Sequence, residues 1–262
     1  MPPATTRRRL LLAASGVLLA PPARAATTPI VAAASVLQFA LPEIADRFRR
    51  AGGPRIRLVF GSSGNFYRQI LQGAPYALFL SADEDYVLRL AERRRAPDPG
   101  VIYAVGRIVL FAPKGSPLEV DAELDGLERA LRRGEIRRFA IANPEHAPYG
   151  KRAEEALRHR RLWDLLRPRL VLGENVAQAA QFAVSGSAQG GILARALAAA
   201  PTLRDRGRYA PIPSRWHAPL RQRMVLLRPE DETARRFFAH LRSPDSADLL
   251  RRHGLDPPDR SG

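Results

Sequence analysis

Ile56-Arg57-Leu58-Val59-Phe60-Gly61-Ser62-Ser63-Gly64-Asn65 decides how this chain folds. Its first five residues alternate as a strand, Gly61 to Gly64 make a glycine- and hydroxyl-rich turn, and the turn opens a helix over about 65–71. The same succession recurs three times. Ile30-Val31-Ala32-Ala33-Ala34 is a buried-strand candidate that runs into Ser35, placed to cap a helix beginning at Val36. Ala140-Ile141-Ala142-Asn143-Pro144-Glu145-His146-Ala147-Pro148-Tyr149-Gly150 joins a strand at 138–141 to a helix at 150–158. Gly173-Glu174-Asn175-Val176-Ala177-Gln178 joins a strand at 170–172 to a helix at 176–184.

Working outward, short apolar runs alternate with stretches of helical period, which predicts an α/β protein with largely parallel strands. Leu37, Leu41, Ile44 and Phe48 form one apolar stripe, closed by Gly52-Gly53; a strand at 77–80 and a helix at 83–94 complete a first series. Gly106 to Pro113 reads as one long strand leaving this lobe for a second, whose own series adds a helix at about 121–133 and a strand at 190–193. Met224-Val225-Leu226-Leu227 is a further strand, followed by a helix carrying Phe237, Phe238 and Leu241 and a tail helix at 246–252. Two crossings then divide the chain into lobe one, 26–105 plus 219–262, and lobe two, 106–218, with a ligand cleft between them. Residues 1–25 read as an export signal: Arg7-Arg8-Arg9, an apolar stretch to Ala20, and small residues ending at Ala25, too short for a bilayer span. Arg7-Arg8 fits the general secretory or the twin-arginine route, and either predicts a soluble periplasmic protein.

Composition narrows the chemistry. The 262 residues contain no cysteine, which excludes disulfides, thiolate metal sites and a cysteine nucleophile. The five histidines are scattered without metal-ligand spacing, so neither a metal nor a cofactor is expected. Forty-two Lys and Arg against 26 Asp and Glu give a net charge of +16, and loss of a leader with four arginines lowers it to +12. The arginines lie on helix faces between carboxylates, without interleaved aromatics, and so read as solvated surface and not as a nucleic-acid interface.

All four junctions place free amides at a helix N-terminus beyond the carboxyl end of a strand, where the helix dipole favours an anion. Singly, Ser35 and Asn175 also read as caps and Ser62 and Ser63 as turn formers; four such junctions, two per lobe, favour a shared anion site. A secreted serine hydrolase is the alternative from another class. Gly61-Ser62-Ser63-Gly64 is close to a nucleophile elbow, but Asn65 stands where Gly-x-Ser-x-Gly needs its last glycine.

At these junctions the sequence resembles the periplasmic molybdate-binding proteins of ABC importers, within the wider type II substrate-binding family. The resemblance runs through Ala32 to Ser35, Phe60 to Ser63, Arg68-Gln69-Ile70, Gly73-Ala74-Pro75 and Leu78 to Asp83, then Ala142 to Gly150 and Gly173 to Ala179, covering about 28–256. It implies a monomeric two-lobed type II periplasmic-binding-protein fold with two crossovers. It further implies capture of molybdate or tungstate and delivery to a membrane permease, without catalysis. Site residues implied by the resemblance are Ser35 and Ser63, through hydroxyl and amide, and Tyr149 and Val176, through their amides, with the Tyr149 phenol a further donor. Val36, Ser62 and Asn175 are their neighbours. The chain departs from the family at Val36, Ala77 and Arg223, where relatives carry polar or acidic side chains, and another oxyanion such as sulfate or phosphate is the alternative ligand.

Overall fold

The computed structural model describes residues 28–258, so the expected leader lies outside the described residues. Sheet one begins with β1 (Ile30–Ala34), α1 (Ala40–Arg50), β2 (Arg57–Gly61), α2 (Ser63–Leu71), β3 (Tyr76–Ser81), α3 (Glu84–Glu92) and β4 (Val101–Gly106). Sheet two takes β5 (Ile108–Pro113), α4 (Asp125–Arg132), β6 (Phe139–Ala142), α5 (Pro148–His159), α6 (Trp163–Leu166), β7 (Leu170–Gly173), α7 (Val176–Val184), β8 (Gly190–Ala194), α8 (Arg195–Ala198), α9 (Pro201–Arg204) and β9 (Gly207–Pro211). The chain then returns to sheet one through β10 (Leu220–Leu226) and ends in α10 (Glu232–Leu241) and α11 (Pro244–Arg252). The result is a two-lobed α/β fold.

The sheets repeat one plan. Their strand orders are β2-β1-β3-β10-β4 and β7-β6-β8-β5-β9. In each, three strands run parallel and one strand joins them antiparallel to both its neighbours, β10 in sheet one and β5 in sheet two. Four of the five strands in each sheet thus run the same way, in line with the expected largely parallel strands, and the reversed fifth makes each sheet mixed. An apolar run buried on both faces reads the same in either direction, so its periodicity carries no strand polarity.

The apolar stripe of α1 and of the 3-10 turn before it closes the lobe-one core: Leu37 of the turn and Leu41 and Ile44 of α1 are fully buried, and Phe48 meets Phe237 of α10 edge to face at 5.2 Å between centroids. The strand expected over 106–113 instead splits at Arg107, with β4 ending in sheet one and β5 beginning in sheet two. Gly106 is required at this joint, because a Cβ there would stand 2.3 Å from the Tyr149 hydroxyl. The helix expected from 121 starts at Asp125, since the Asp121 carboxylate accepts from the amides of Asp125 at 3.0 Å and Gly126 at 2.7 Å. Edge strands β4 and β9 escape the sequence pattern; β9 is largely exposed and lacks a buried face to betray it.

A tail residue ties this joint. Asp256 exchanges backbone bonds with Val105 at 2.8 and 3.0 Å, and its carboxylate accepts from Arg107 Nε at 2.7 Å and from Arg195 of α8. Burial alone would raise the carboxyl's pKa; the bonds from Arg107 and Arg195 outweigh burial and hold it below the ordinary value. Asp256→Asn should therefore lower the unfolding free energy by roughly 1–2 kcal/mol near neutral pH. A depressed carboxyl stabilises above its unfolded pKa and loses that contribution as pH falls through the folded value. The gap between wild type and variant in urea melts should accordingly narrow below about pH 4.

Candidate functional site

Four turns from the two sheets meet over one small cavity. It is lined by Ala34, Ser35 and Val36 after β1, Gly61, Ser62 and Ser63 after β2, Ala147, Pro148 and Tyr149 ahead of α5, and Asn175 and Val176 at the start of α7, with Ala82 beside them. All seven site and neighbour residues expected from the sequence, Ser35, Val36, Ser62, Ser63, Tyr149, Asn175 and Val176, thus come together. The turns sit at the carboxyl ends of the parallel strands β1, β2, β6 and β7, and α2, α5 and α7 point their N-termini at the cavity. Pro148 pre-sets the first helical position of α5, which is why that helix starts two residues before Gly150.

The polar groups divide into those engaged locally and those left free. Ser62 caps α2 by accepting from Asn65 N at 3.3 Å, and Asn175 caps α7 by accepting from Ala177 N at 3.0 Å and Gln178 N at 3.1 Å. Ser35 is not a cap. It begins a 3-10 turn without a side-chain cap, and its Oγ accepts from Ala177 N of the opposite lobe at 3.4 Å, correcting the expected local role. Ser63 Oγ accepts from Ala82 N at 2.9 Å. Each of these two hydroxyls accepts an amide bond and keeps its own proton to donate. A helix's first-turn amides have no carbonyl behind them, and those of Ser63, Tyr149 and Val176 have no acceptor among the described residues. The lining holds neither carboxylate nor cation. Chemically this is a pocket of neutral donors with the positive ends of helix dipoles behind them, suited to an anion that offers only acceptors.

Contacts across the cleft hold the lobes together. Gly64 N donates to His146 O at 2.9 Å, Ser62 Oγ lies 3.0 Å from His146 Nδ1, and Asn65 Nδ2 donates to Glu174 Oε1 at 2.8 Å. Deeper in, Arg152 of α5 reaches Asp83 at 3.0 Å, both side chains under 10% exposed, and also binds Glu155 at 2.8 Å. Burial pushes the Asp83 carboxyl up against the pull of Arg152. At the joint, Gln222 Nε2 donates to the Tyr149 hydroxyl at 2.9 Å while Gln222 Oε1 accepts from the Tyr103 hydroxyl at 2.8 Å; burial raises the pKa of both phenols.

The Ser62 and His146 pair lacks the third member of a hydrolase triad. Ser62 Oγ is held as a cap, no carboxylate bonds the imidazole among the described residues, and burial, then the Arg68 charge, lowers the His146 pKa. Of the residues missed in sequence, Gln222 alone left a signal, as the polar side chain on the buried face it shares with Leu220 and Met224. Asp83 and Arg152 stand 69 positions apart, and although Asp83 ends one of the segments that carry the resemblance, nothing local announces its pairing with Arg152. Of the family departures, Arg223 pairs with Glu84 at 3.0 Å outside the cavity, and Ala77 is buried within β3.

Comparison with known proteins places this geometry. Residues 30–256 match the family described as bacterial extracellular solute-binding protein. A molybdate-binding protein, ModA, of Rhodobacter capsulatus is 33% identical over 85% of this chain and 86% of its own. The solved periplasmic molybdate-binding protein of Azotobacter vinelandii superposes with a TM-score of 0.80 at 28% identity, over 88% of this chain and all of that one. A Mycobacterium tuberculosis sulfate-binding protein, 16% identical with a TM-score of 0.73 over 89% of this chain and 88% of its own, shares the fold.

Closure demands glycine at position 64, where a Cβ would stand 2.5 Å from His146 O and 2.8 Å from the Tyr86 hydroxyl. Gly64→Ala should hold the lobes apart and enlarge the radius of gyration in solution X-ray scattering. An unchanged radius would show that the cleft closes without this contact.

Proposed function

Because the chain belongs to the bacterial extracellular solute-binding protein family, we propose that it is the substrate-binding component of an ABC importer, capturing molybdate or tungstate between its lobes and handing it to a membrane permease. The observation that carries this reading is the cavity itself: donors from both lobes and no carboxylate. A tetrahedral dianion without a proton near neutral pH offers only acceptors, and neutral hydroxyls and amides answer it with no buried counter-cation. Ser35 and Ser63 donate from lobe one through hydroxyl and amide, Tyr149 and Val176 donate amides from lobe two, and Val36, Ser62 and Asn175 shape the wall. The names of the Rhodobacter and Azotobacter relatives support molybdate as the ligand. Smaller sulfate is discriminated by fit. A protonated phosphate is disfavoured because its O–H finds no carboxylate to accept it.

The chain works as a monomer in the periplasm, delivered there by its leader, with lobe one formed by 26–105 and 219–262 and lobe two by 106–218. No helix among the described residues is long and apolar enough to cross a membrane. Capture proceeds by lobe rotation about the joint near Arg107 and the return before β10, and the closed form docks on the permease.

Titration calorimetry should show tight binding of molybdate and tungstate and weaker binding of sulfate. Ser63→Ala should weaken molybdate by roughly 1–3 kcal/mol, since the dianion loses one donor facing its charge. No binding of any of the three oxyanions by the unaltered chain would end the proposal, and undiminished affinity in the variant would remove Ser63 from the site.

A further inference from the structure

We propose that His217 is a pH-sensitive catch in the joint between the lobes: neutral, it lets the cleft close, and protonated, it favours the open form and release of the bound oxyanion. This rests on the anion-capture reading above. His217 lies between β9 and β10, where the chain returns from lobe two to lobe one. On either side of it the segment is fastened to α5. Trp216 stacks on His159 at 5.0 Å between ring centroids, and Ala218 N donates to Glu155 Oε2 at 2.9 Å. The other oxygen of that carboxylate accepts from Arg152 at 2.8 Å, and Arg152 reaches across to Asp83 of lobe one at 3.0 Å. The histidine therefore stands where the return crossing meets the side chains that draw the lobes together.

The closed joint has no place for a second proton on this ring. A carbonyl only accepts, so Nδ1, 2.7 Å from Ala218 O, carries the hydrogen of the neutral imidazole. An imidazolium would also need an acceptor at Nε2, which is buried and has no partner among the described residues. The charges facing the ring are Arg107 from the forward crossing and Arg152 and Glu155 from α5. Glu155 is already engaged by Arg152 and by the Ala218 amide, while Asp256 is taken up by Arg107 and Arg195, and Asp83 by Arg152. Burial first, then the two arginines, lowers the His217 pKa against the pull of the Ala218 carbonyl and Glu155. Both crossings twist when the lobes rotate, and water then reaches Nε2. The open form thus takes up its proton near the ordinary histidine value of about 6.5, the closed form only at lower pH. Closure expels that proton. Affinity is complete above the open-form value, falls as pH drops through it, and levels off below the closed-form value.

The test is titration of the full chain and of His217→Asn with molybdate from about pH 8 down to about pH 5.5, with the ligand-free melting point of each as a check on folding. The asparagine amide still donates to Ala218 O but takes up no proton. The unaltered chain should lose about tenfold in affinity over that range beyond any loss in the variant, since about one unit below the ordinary value roughly nine-tenths of the open form is protonated. Protonation of the oxyanion itself, and of His146, which faces Ser62 across the cleft, is common to both chains and drops out of the comparison. Parallel profiles overturn the proposal. If His217→Asn does not fold, the imidazole resonances of the unaltered chain decide, followed by NMR through the same range. The His217 midpoint should move to lower pH when molybdate is added, and a midpoint that molybdate leaves in place overturns the proposal. An unaltered chain that binds molybdate with the same pH profile as the variant refutes this proposal alone; an unaltered chain that binds no oxyanion refutes the functional reading and this one with it.

Discussion

A helix exposes unpaired amides only at its first turn, so a cavity walled by such amides must gather several helix starts at one point. That constraint orders everything else in this chain. Strands β1, β2, β6 and β7 are parallel to their partners, which brings their carboxyl ends to one side, and each is followed within a few residues by a helical start. One sheet supplies two such turns, and a second sheet of the same strand order supplies two more from the opposite side. The duplicated plan is the least elaborate way for one chain to wall a small cavity with free donors while no side chain brings a formal charge into its lining.

Closure has its own energetic logic. Asp83 and Arg152 meet across the lobes with little solvent around either, and stripping water from two charges consumes most of what their attraction returns. The pair therefore adds little to closure and much to its register: either partner facing the wrong group would stand as an uncompensated buried charge. Asp83 follows Ala82, whose amide holds Ser63 Oγ, and Arg152 lies one turn after Tyr149 on α5. The ion pair thus fixes one donor from each lobe relative to the other, and Arg152 binding to Glu155 keeps the guanidinium from seeking a second orientation.

What can be read from the sequence is whatever is local. Asn175 and Ser62 act as the caps their positions suggest, Val176–Val184 is the helix its pattern predicts, and the four polar turns announce the site because small residues after a buried strand have few other uses. What cannot be read is whatever depends on a partner far along the chain. Ser35 has the local pattern of a cap and instead meets Ala177, 142 positions away. The direction of β5 is fixed by β8 and β9, and the break at Arg107 falls between two apolar runs that read as strand on either side, while the demand for glycine at 106 comes from a tyrosine that folding brings there. Gln222 lies between these cases: its buried face is legible from alternation, its purpose only from Tyr103 and Tyr149.

The surplus of positive charge and the neutrality of the cavity belong to one design. Many of the arginines answer carboxylates on the same helix, as Arg47 does Glu43, Arg132 does Glu128 and Arg158 does Glu154, and such exposed pairs contribute little to stability. The net excess of cations nonetheless gives the molecule a field that attracts anions over roughly a Debye length of about 8 Å in physiological salt. Attraction at that range cannot tell one oxyanion from another, because it sees charge alone. Discrimination needs contact, and in a cavity of uncharged donors contact depends on size, shape and whether the guest carries a proton. On the proposed anion-capture reading, keeping arginine on the surface and out of the cavity separates collection from selection; a guanidinium among the donors would merge them, holding any dianion that arrived.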